Sequence, residues 1–436
     1  MARFTRLEAA LIEALGVVAV LFIIVAFFFG GRPASAMPKC TANLARHVPV
    51  VGNLAPLKLD IKAETDIALE QPLTIADLSY ERPAMARAFG ARTKEVRLLL
   101  ARMNGGGEDT ENAMEMALAY LARMQKDDGS WSNPVPLGST GLALICFLGA
   151  GYHHQSGDYQ EVVAKGLQYL LSRQNENGGL NGETVYSHSI AGMVFAEAYG
   201  LTGDPVCRQA AEKMLAFLAR AQNDKGAWYY QPSSPDCDTS VSGWAIMAFK
   251  SAKMAGLAIP HEVVEKYLRY AKSITEAEVN TAEEAKKNHG IWKGMAHYGI
   301  RNNKPEKRFP YPMTASVLMC RLYMENDRNA PLLREGVEHI TTRLPANLKP
   351  QWVEKHYGMD HYLWYHAAQV GFLWGGEAWT MWNDSLRRLL VEKQIKEGDR
   401  KGTWGENNWF QWGERSDIYH HTILTMILQT YYRYYR

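Results

Sequence analysis

The chain lacks an excess of charge of either sign. Its 436 residues include 48 lysines and arginines against 46 aspartates and glutamates, which gives a formal net charge of +2. The basic residues form no continuous run or stripe along the sequence. The sequence therefore does not indicate a nucleic-acid partner.

Cysteine is also scarce, with five in the whole chain and no Cys-x-x-Cys pair of the kind typical of zinc sites. Cys146 and Cys320 lie in apolar stretches, so we predict that both are buried thiols. A disulfide between Cys207 and Cys237 could form in an oxidising compartment, but nothing in the sequence requires it. We predict no metal ion and no other cofactor.

The first 36 residues are typical of a targeting segment. Arg3 and Arg6 precede an apolar run over 14–30, and Ala34–Ala36 matches the small-residue pattern of a signal-peptidase site. The segment suits a cleaved signal peptide or a retained single-pass anchor, and the absence of polar residues over 16–29 favours the anchor. Because the positive residues favour a cytoplasmic N-terminus, we expect the body in the cell envelope, on the non-cytoplasmic side of the membrane.

Two further regions follow the targeting segment. Residues 37–110 contain several prolines and the glycine run 105–107, and they predict a linker and an irregular collar with one helix near 93–103. Residues 111–436 share one repetitive pattern and predict a single body.

The pattern repeats about every 50 residues. The segments Gln125–Trp131, Gln174–Leu180 and Gln222–Trp228 are alike, and their glutamines lie 49 and 48 residues apart. An amphipathic helical stretch precedes each segment. A fixed period of this length indicates stacked units, each with an outer helix, a glycine-containing turn and an inner helix.

Six such units can be counted. Inner helices are predicted to start near Ser139, Ser187, Asp238, Met313, Tyr365 and His420. Gly290-Ile-Trp292 and Gly402-Thr-Trp404 mark two later turns, and the polar stretch 274–307 interrupts the period. We predict an all-α, (α/α)6 toroid with two concentric rings of six helices and no β-sheet larger than a hairpin.

The repeated turns resemble the Gln-Trp repeats of the prenyltransferase and squalene-cyclase superfamily, whose shared domain is an (α/α)6 toroid. The resemblance covers residues 111–436. It is strongest to a group of bacterial secreted or membrane-anchored proteins that have prenyltransferase and squalene-oxidase repeats and no assigned activity. The segments Asp238–Trp244 and Gly375–Trp379 carry this resemblance.

The resemblance implies two chemistries, and this chain departs from both. Alignment on Trp244 places Cys237 at the proton donor of the cyclases, and a thiol is too weak an acid to protonate an alkene. An alternative alignment keeps Asp236 and Asp238 as a shortened acid pair. Asp238 also matches a zinc ligand of the protein prenyltransferases, but Ser240 stands at their cysteine ligand. We therefore expect neither squalene cyclisation nor zinc-dependent prenyl transfer.

The predicted starts of the inner helices carry acids, histidines and tyrosines, and a toroid would bring them to one end. The catalytic candidates are Asp236, Asp238, His188, His366 and His421. The ligand-binding candidates are Tyr186, Thr239, Tyr311, Thr314, Tyr365, Tyr419, Trp409 and Trp412. We predict that His188, Asp238, His366 and His421 face one shared space, although the same residue types could equally cap helices inside a polar plug.

The sequence thus predicts an envelope toroid that binds a hydrophobic, isoprenoid-like ligand or a partner protein. The alternative is an enzyme, either one that acts on an isoprenoid or, by fold analogy, a polysaccharide lyase. The lining of the centre distinguishes these functions. A deep apolar cavity suits an isoprenoid, an open groove with arginine and asparagine suits a polysaccharide, and a filled centre suits a scaffold.

Overall fold

The structure is a computed structural model. It describes residues 89–131, 135–180, 182–325, 328–341, 359–404 and 417–434. The predicted targeting segment 1–36, most of the predicted collar, and both Trp409 and Trp412 lie outside these residues. None of the helices in the described part of the chain is long and apolar enough to cross a membrane.

The described residues are mostly helical. In chain order the helices are α1 (Lys94–Met103), α2 (Glu108–Met124), α3 (Pro136–Gly149), α4 (Gln160–Leu171), α5 (Val185–Thr202), α6 (Pro205–Ala221), α7 (Thr239–Met254), α8 (His261–Ser273), α9 (Ala282–Lys287), α10 (Pro310–Met324), α11 (Leu333–Thr341), α12 (Met359–Trp374), α13 (Gly376–Lys393), α14 (Asp417–Leu428) and α15 (Thr430–Arg433). Helix α1 matches the helix expected near 93–103.

The predicted double ring is confirmed. The inner ring consists of α3, α5, α7, α10, α12 and α14, each packed on the next, and α14 returns to pack on α3. Helices α2, α4, α6, α8, α11 and α13 surround it. Helices α3, α5 and α7 are buried on nearly all faces because they lie between the centre and the outer ring.

The repeated turns connect neighbouring units. The amide of Gln125 donates to the carbonyls of Gly129 and Val162, at 3.1 and 2.9 Å, and so ties its own turn to the next outer helix. Gly129 has a φ of +85°, and a Cβ at this position would collide with the carbonyl oxygen of Lys165. Only glycine combines this backbone conformation with so close an approach.

The same glutamine and glycine contacts close the ring between the sixth and the first units. Gly178, Gly226 and Gly402 also have positive φ angles and press against a carbonyl of another outer helix. In the sixth unit the amide of Gln394 donates to the carbonyl of Ala113 in α2, at 2.7 Å. The last turn therefore holds the first outer helix as the earlier turns hold their neighbours.

The fourth turn differs from the prediction. Gly294, with a φ of +83°, approaches the backbone nitrogen of Gly336 in α11, whereas a Cβ on Gly290 would meet only open space. The pattern Gly290-Ile-Trp292 therefore does not mark this turn. The insertion after α8 moves the equivalent glycine four positions further along the chain.

The prediction that no sheet exceeds a hairpin is wrong. Strands β2 (Gly299–Arg301) and β3 (Lys304–Glu306) form an antiparallel hairpin, and β1 (Cys237–Asp238) adds a third strand to its edge. The hairpin belongs to the polar stretch 274–307. Its backbone amides and carbonyls form hydrogen bonds with β1, next to the start of α7. The helical repeat in the sequence does not predict this pairing.

The described cysteines are all free and buried. This confirms the prediction for Cys146 and Cys320, and it shows that Cys207 and Cys237 form no disulfide with each other.

At the end of the inner ring opposite the start of α7, segments from both ends of the described chain pack against α5. Arg92, just before α1, and Arg433, in α15, both bind the carboxylate of Glu197 in α5, at 2.7 and 3.0 Å. All three side chains are fully buried, and the hydroxyl of Ser251 donates to the same carboxylate at 2.9 Å.

Candidate functional site

Asp238 is the acid at the start of an inner helix. It is the N-cap of α7 and is 1% exposed. Its Oδ1 accepts from the backbone amides of Ser240 and Val241, at 2.8 and 3.0 Å, and from the Ser240 hydroxyl at 2.5 Å. Burial raises the pKa of Asp238, although these donors and the hydroxyl of Tyr298 oppose the rise. The group is therefore shifted towards the neutral carboxylic acid.

Tyrosines from three different elements surround this carboxyl group. Tyr230 follows the third turn, Tyr298 precedes β2, and Tyr362 lies in the first turn of α12. The hydroxyl of Tyr362 donates to the carbonyl of Ser240 at 3.4 Å. Burial, followed by the nearby Asp238, raises the pKa of Tyr230 to about 12 and raises the pKa of Tyr298. These tyrosines keep their protons at neutral pH and act as neutral donors.

Further tyrosines continue the group outwards. Tyr186 in α5 and Tyr419 in α14 are half-buried, as is Tyr230. Burial raises the pKa of Tyr186 well above its usual value, and the nearby hydroxyls of Tyr419 and Tyr230 add to the rise. Tyr311 is also half-buried, in the first turn of α10. Four predicted or newly found tyrosines therefore lie partly exposed at this end of the ring.

Large aromatic side chains occupy the space between the inner helices beneath Asp238. Trp244 stacks on Tyr365, with ring centroids 5.9 Å apart, and meets the edge of Tyr186 at the same distance. His366 lies 6.2 Å from Trp244, and its Nδ1 is 3.2 Å from the Met319 sulfur. Burial lowers the pKa of His366 to about 3, so this imidazole is neutral at pH 7.

The catalytic candidate His188 and the ligand-binding candidate Thr314 instead bind the turns that precede their helices. The backbone amide of Leu180 donates to Nε2 of His188 at 2.6 Å, and the amide of Ala296 donates to the hydroxyl of Thr314 at 2.9 Å. Thr140 makes the equivalent bond in the first unit. His188 and Thr314 thus serve the repeat fold at this position of their inner helices.

His421 also faces the outer ring. Its Nε2 is 3.0 Å from the carbonyl oxygen of Ala117 in α2, and its ring lies 5.0 Å from that of Tyr120. Burial lowers the pKa of His421 to about 4.

The prediction of one shared space for His188, Asp238, His366 and His421 is therefore wrong. His188 and His421 contact the outer layer, as described above. Helix α12 begins at Met359 rather than near Tyr365, which places His366 seven residues into the helix and about 10 Å along its axis. Of the four, only Asp238 and His366 contact the tyrosine-lined centre.

Asp236 and Thr239 support the surroundings of Asp238. The Asp236 carboxylate accepts from the backbone amide of Asn302, at 2.9 Å, and so holds the hairpin turn. The Thr239 hydroxyl lies 3.0 Å from that of Tyr270 and donates to the carbonyl of His297 at 3.1 Å.

The hairpin also brings positive charge to this end of the ring. The Arg308 guanidinium lies 4.0 Å from the centre of the Tyr298 ring and pairs with Glu306 at 2.9 Å. Arg301 donates to the hydroxyl of Tyr229 at 2.8 Å. Phe309, which follows Arg308, has a φ of +46°, a conformation that costs energy for a residue with a Cβ.

Sequence reasoning missed Tyr230, Tyr298, Tyr362 and Arg308. Tyr298 and Arg308 border or belong to the polar interruption of the repeat, which could have been examined as a site element. Tyr362 could have been found if the start of α12 had been placed six residues earlier.

Comparison with known proteins agrees with the fold. No protein-family model matches the chain. An α-1,6-mannanase of glycoside hydrolase family 76 from Salegentibacter superposes with a TM-score of 0.54 at 10% identity, over 74% of this chain and 98% of that one. The chain is an α/α toroid. A type II terpene cyclase from Scytonema has a TM-score of 0.49 at 13% identity, over 74% and 97%. At these identities, structural likeness concerns the fold alone.

One relative is detected by sequence. Drimenyl diphosphate synthase of Streptomyces showdoensis is 25% identical over 163 residues, which are 36% of this chain and 30% of that enzyme. The chain thus spans less than a third of that relative's length.

Proposed function

We propose that the toroid binds an isoprenoid diphosphate. In this proposal the hydrocarbon packs against the half-buried tyrosines at the Asp238 end, above the filled centre, and the diphosphate lies against the hairpin of β2 and β3. The observation that carries the proposal is that an aromatic centre and a basic rim meet at one end of the inner ring.

The aromatic side of the site suits an isoprenoid chain. Tyr186, Tyr230 and Tyr419 are half-buried and offer ring surface at this end. Tyr298, Tyr362 and Trp244 are buried around and beneath the Asp238 carboxyl group. Branched hydrocarbon gains free energy when it leaves water for such rings, at about 25 cal/mol for each Å² of apolar surface buried.

The hairpin supplies the complementary charge. Residues 301–308 contain Arg301, Lys304, Lys307 and Arg308 against the single acid Glu306. Arg301 and Arg308 have side chains 44% and 42% exposed, so their guanidinium groups can reach a ligand. Guanidinium groups match the oxygens of a phosphate with paired hydrogen bonds. The partial relative is named for a diphosphate product, which agrees with this ligand class.

A second candidate function is alkene protonation by Asp238. The favouring observation is that the amides of Ser240 and Val241 and the hydroxyls of Ser240 and Tyr298 are all neutral donors while burial raises the pKa of Asp238, a combination that suits a carboxylic acid. In this reaction the O–H bond of Asp238 breaks, its proton forms a C–H bond with an alkene carbon, and Asp238 becomes the carboxylate. The carbocation formed on the ligand then loses a proton to solvent to give the product. The alternative superfamily alignment also retains Asp238 as an acid, together with Asp236.

Binding can be tested by titrating the full chain with farnesyl diphosphate and measuring the change in tryptophan fluorescence. We expect farnesyl diphosphate to bind at least tenfold more tightly than farnesol. Arg308→Gln should remove most of this difference. Arg208→Gln is the matched control, because the Arg208 side chain is also exposed, at 56%, and also pairs with a glutamate near a tyrosine ring. Failure of both isoprenoids to bind, or equal loss in the two variants, would contradict the proposal.

Product analysis separates binding from catalysis. Farnesyl and geranylgeranyl diphosphate are incubated with the protein, dephosphorylated and examined by gas chromatography. A cyclic product that Asp238→Asn abolishes, without loss of binding, would establish protonation. Binding without product would leave a carrier or sensor. Squalene should give no product in either case, since Cys237 replaces the cyclase donor in one alignment and the diphosphate contacts are unused.

We also propose that the body acts on the non-cytoplasmic side of a membrane, attached through residues 1–36. The apolar run with basic residues before it supports this location. Alkaline phosphatase fused after residue 436 should be active, and activity confined to a cytoplasmic reporter would contradict it. A partner protein in the envelope is the alternative ligand, detectable by crosslinking in cells.

A further inference from the structure

Three residues with different ligand atoms meet at the other end of the ring. His154 follows α3, Asp204 is the N-cap of α6, and Cys207 lies in the first turn of α6. Their nitrogen, oxygen and sulfur atoms all lie within 4.8 Å of one another. The 18 residues of α5 separate this group from the Asp238 end by about 27 Å along the helix.

We propose that His154, Asp204 and Cys207 bind a zinc ion, with solvent in the fourth position. Zinc takes imidazole, carboxylate and thiolate ligands in tetrahedral geometry, and three protein ligands with one open position are typical of reactive zinc sites. Bonds of about 2.0 to 2.3 Å place neighbouring ligand atoms about 3.3 to 3.7 Å apart. Nε2 of His154 and Oδ2 of Asp204 are 2.7 Å apart, and one ligand atom of each of the three residues lies within 4.8 Å of the others, so shifts of about 1 Å bring them into that range.

The local structure leaves the required atoms available. Asp204 Oδ1 caps α6 by accepting from the backbone amide of Val206 at 2.8 Å. Its Oδ2 lies 2.7 Å from Nε2 of His154. An ion that enters between Oδ2 and Nε2 therefore has to move these two atoms apart by less than about 1 Å. The helix cap through Oδ1 remains in place.

The site is also sheltered but reachable. Cys207 is 4% exposed, and the side chains of His154 and Asp204 are 14% and 21% exposed. A simple His154–Asp204 ion pair would account for two of the residues but gives no role to the thiol beside them. Among the residues that the structure describes, this is the one group of three such ligand atoms gathered so closely.

Zinc binding has a measurable consequence at the thiol. A free cysteine thiol has a pKa of about 8.5, so it is protonated at neutral pH without an ion. A coordinated thiol loses its proton to solvent as the sulfur–zinc bond forms. Each ion bound at neutral pH should therefore release about one proton.

The test uses the full chain, reduced and stripped of metal with a chelator. Zinc titration calorimetry in two buffers of different ionisation enthalpy gives the stoichiometry and the protons released. Cobalt then reports the sulfur ligand through a thiolate charge-transfer absorption band. We expect one ion and about one proton per chain, with a cobalt band.

Matched variants assign the ligands. Cys207→Ser should abolish the cobalt band and the proton release and weaken binding at least tenfold. Asp204→Asn should weaken binding by a similar factor and keep the fold, because asparagine is also a good N-cap. Cys320→Ser removes another buried free thiol and should leave all three readouts unchanged. Absence of stoichiometric zinc, a cobalt band that survives Cys207→Ser, or equal losses in Cys320→Ser would overturn the proposal.

Discussion

Each end of the inner ring buries a carboxyl group, and the hydrogen-bond donors to the two groups differ in charge. Asp238 is bound by neutral hydroxyl and amide donors, and burial raises its pKa. Glu197 is equally buried, but the charges of Arg433 and Arg92 outweigh burial and lower its pKa to about 2. Burial disfavours the charged form in both places, so the charge of the partners decides the outcome.

The difference separates the end that the Glu197 network holds together, called the structural end below, from the end at which we propose isoprenoid binding, called the functional end. Arg92 and Arg433 come from segments that flank the toroid in sequence, so their bonds to Glu197 fix both segments against α5. The Glu197 carboxylate is ionised and accepts hydrogen bonds from three side chains, those of Arg92, Arg433 and Ser251. The hydrogen bonds of Asp238 come from neutral donors, and its raised pKa favours the protonated form that the proposed proton transfer requires.

The largest effect should follow from removal of the charge at the structural end. Glu197→Gln leaves Arg92 and Arg433 buried without their counter-ion, and we expect a loss of about 3–5 kcal/mol in the free energy of unfolding. Denaturant unfolding of the full chain measures it. Glu212→Gln on the same side of the ring breaks an exposed pair with Arg208 and should cost at most about 0.5 kcal/mol. Similar costs in the two variants would show that the Glu197 network is not an essential tie.

Acid should weaken the same network over a defined pH range. The folded pKa of Glu197 is about 2, below its usual 4.5, so its contribution is complete above pH 4.5 and is lost as the pH falls towards 2. The stability difference between wild type and Glu197→Gln should therefore shrink by about 1.4 kcal/mol per pH unit in this range. Other acid-sensitive groups, such as His366, are common to both proteins and cancel in the difference. A difference independent of pH would contradict the lowered pKa.

Sequence alone predicted the architecture well because the architecture is periodic. The glutamine and glycine of the first turn, Gln125 and Gly129, bind a neighbouring outer helix, and equivalent pairs recur in the second, third and sixth units. The polar insertion has no such period. Its hairpin forms through backbone pairing with Cys237 and Asp238, a contact between distant parts of the chain that no local pattern reports.

The site was predicted less completely than the fold. Asp238 was found because an acid before Thr239-Ser240 marks a helix start. His188 looked equally promising, but its position in the helix is one at which Thr140 and Thr314 fasten turns. Residue type therefore suggested chemistry where the repeat required only a hydrogen-bond acceptor. Tyr298 was missed because the contact with Asp238 exists only in the folded chain.

A smaller effect should follow from removal of the cap at the functional end. Asp238→Ala removes the acceptor for the amides of Ser240 and Val241, and we expect a loss of about 1 kcal/mol in the free energy of unfolding near pH 4. Thermal or denaturant unfolding measures it. A loss as large as that in Glu197→Gln would mean that Asp238 is held as an ionised structural group, and the contrast between the two ends would disappear.

The smallest effect should be that of Asp238→Asn near pH 4, where we expect a change of only a few tenths of a kcal/mol, since asparagine caps helices about as well as aspartate. The pH dependence then separates the two carboxyl groups by sign. The folded pKa of Asp238 lies above its usual 3.8, so below that pH the group is protonated in both states and contributes no pH dependence. As the pH rises above 3.8, the unfolded chain ionises first, and wild type loses stability relative to Asp238→Asn until the folded pKa is reached. The plateau of the difference marks that pKa. A difference that moves in the opposite direction with pH would mean that Asp238 is a stabilised carboxylate, as Glu197 is, and would remove the support for a proton donor at this end of the ring.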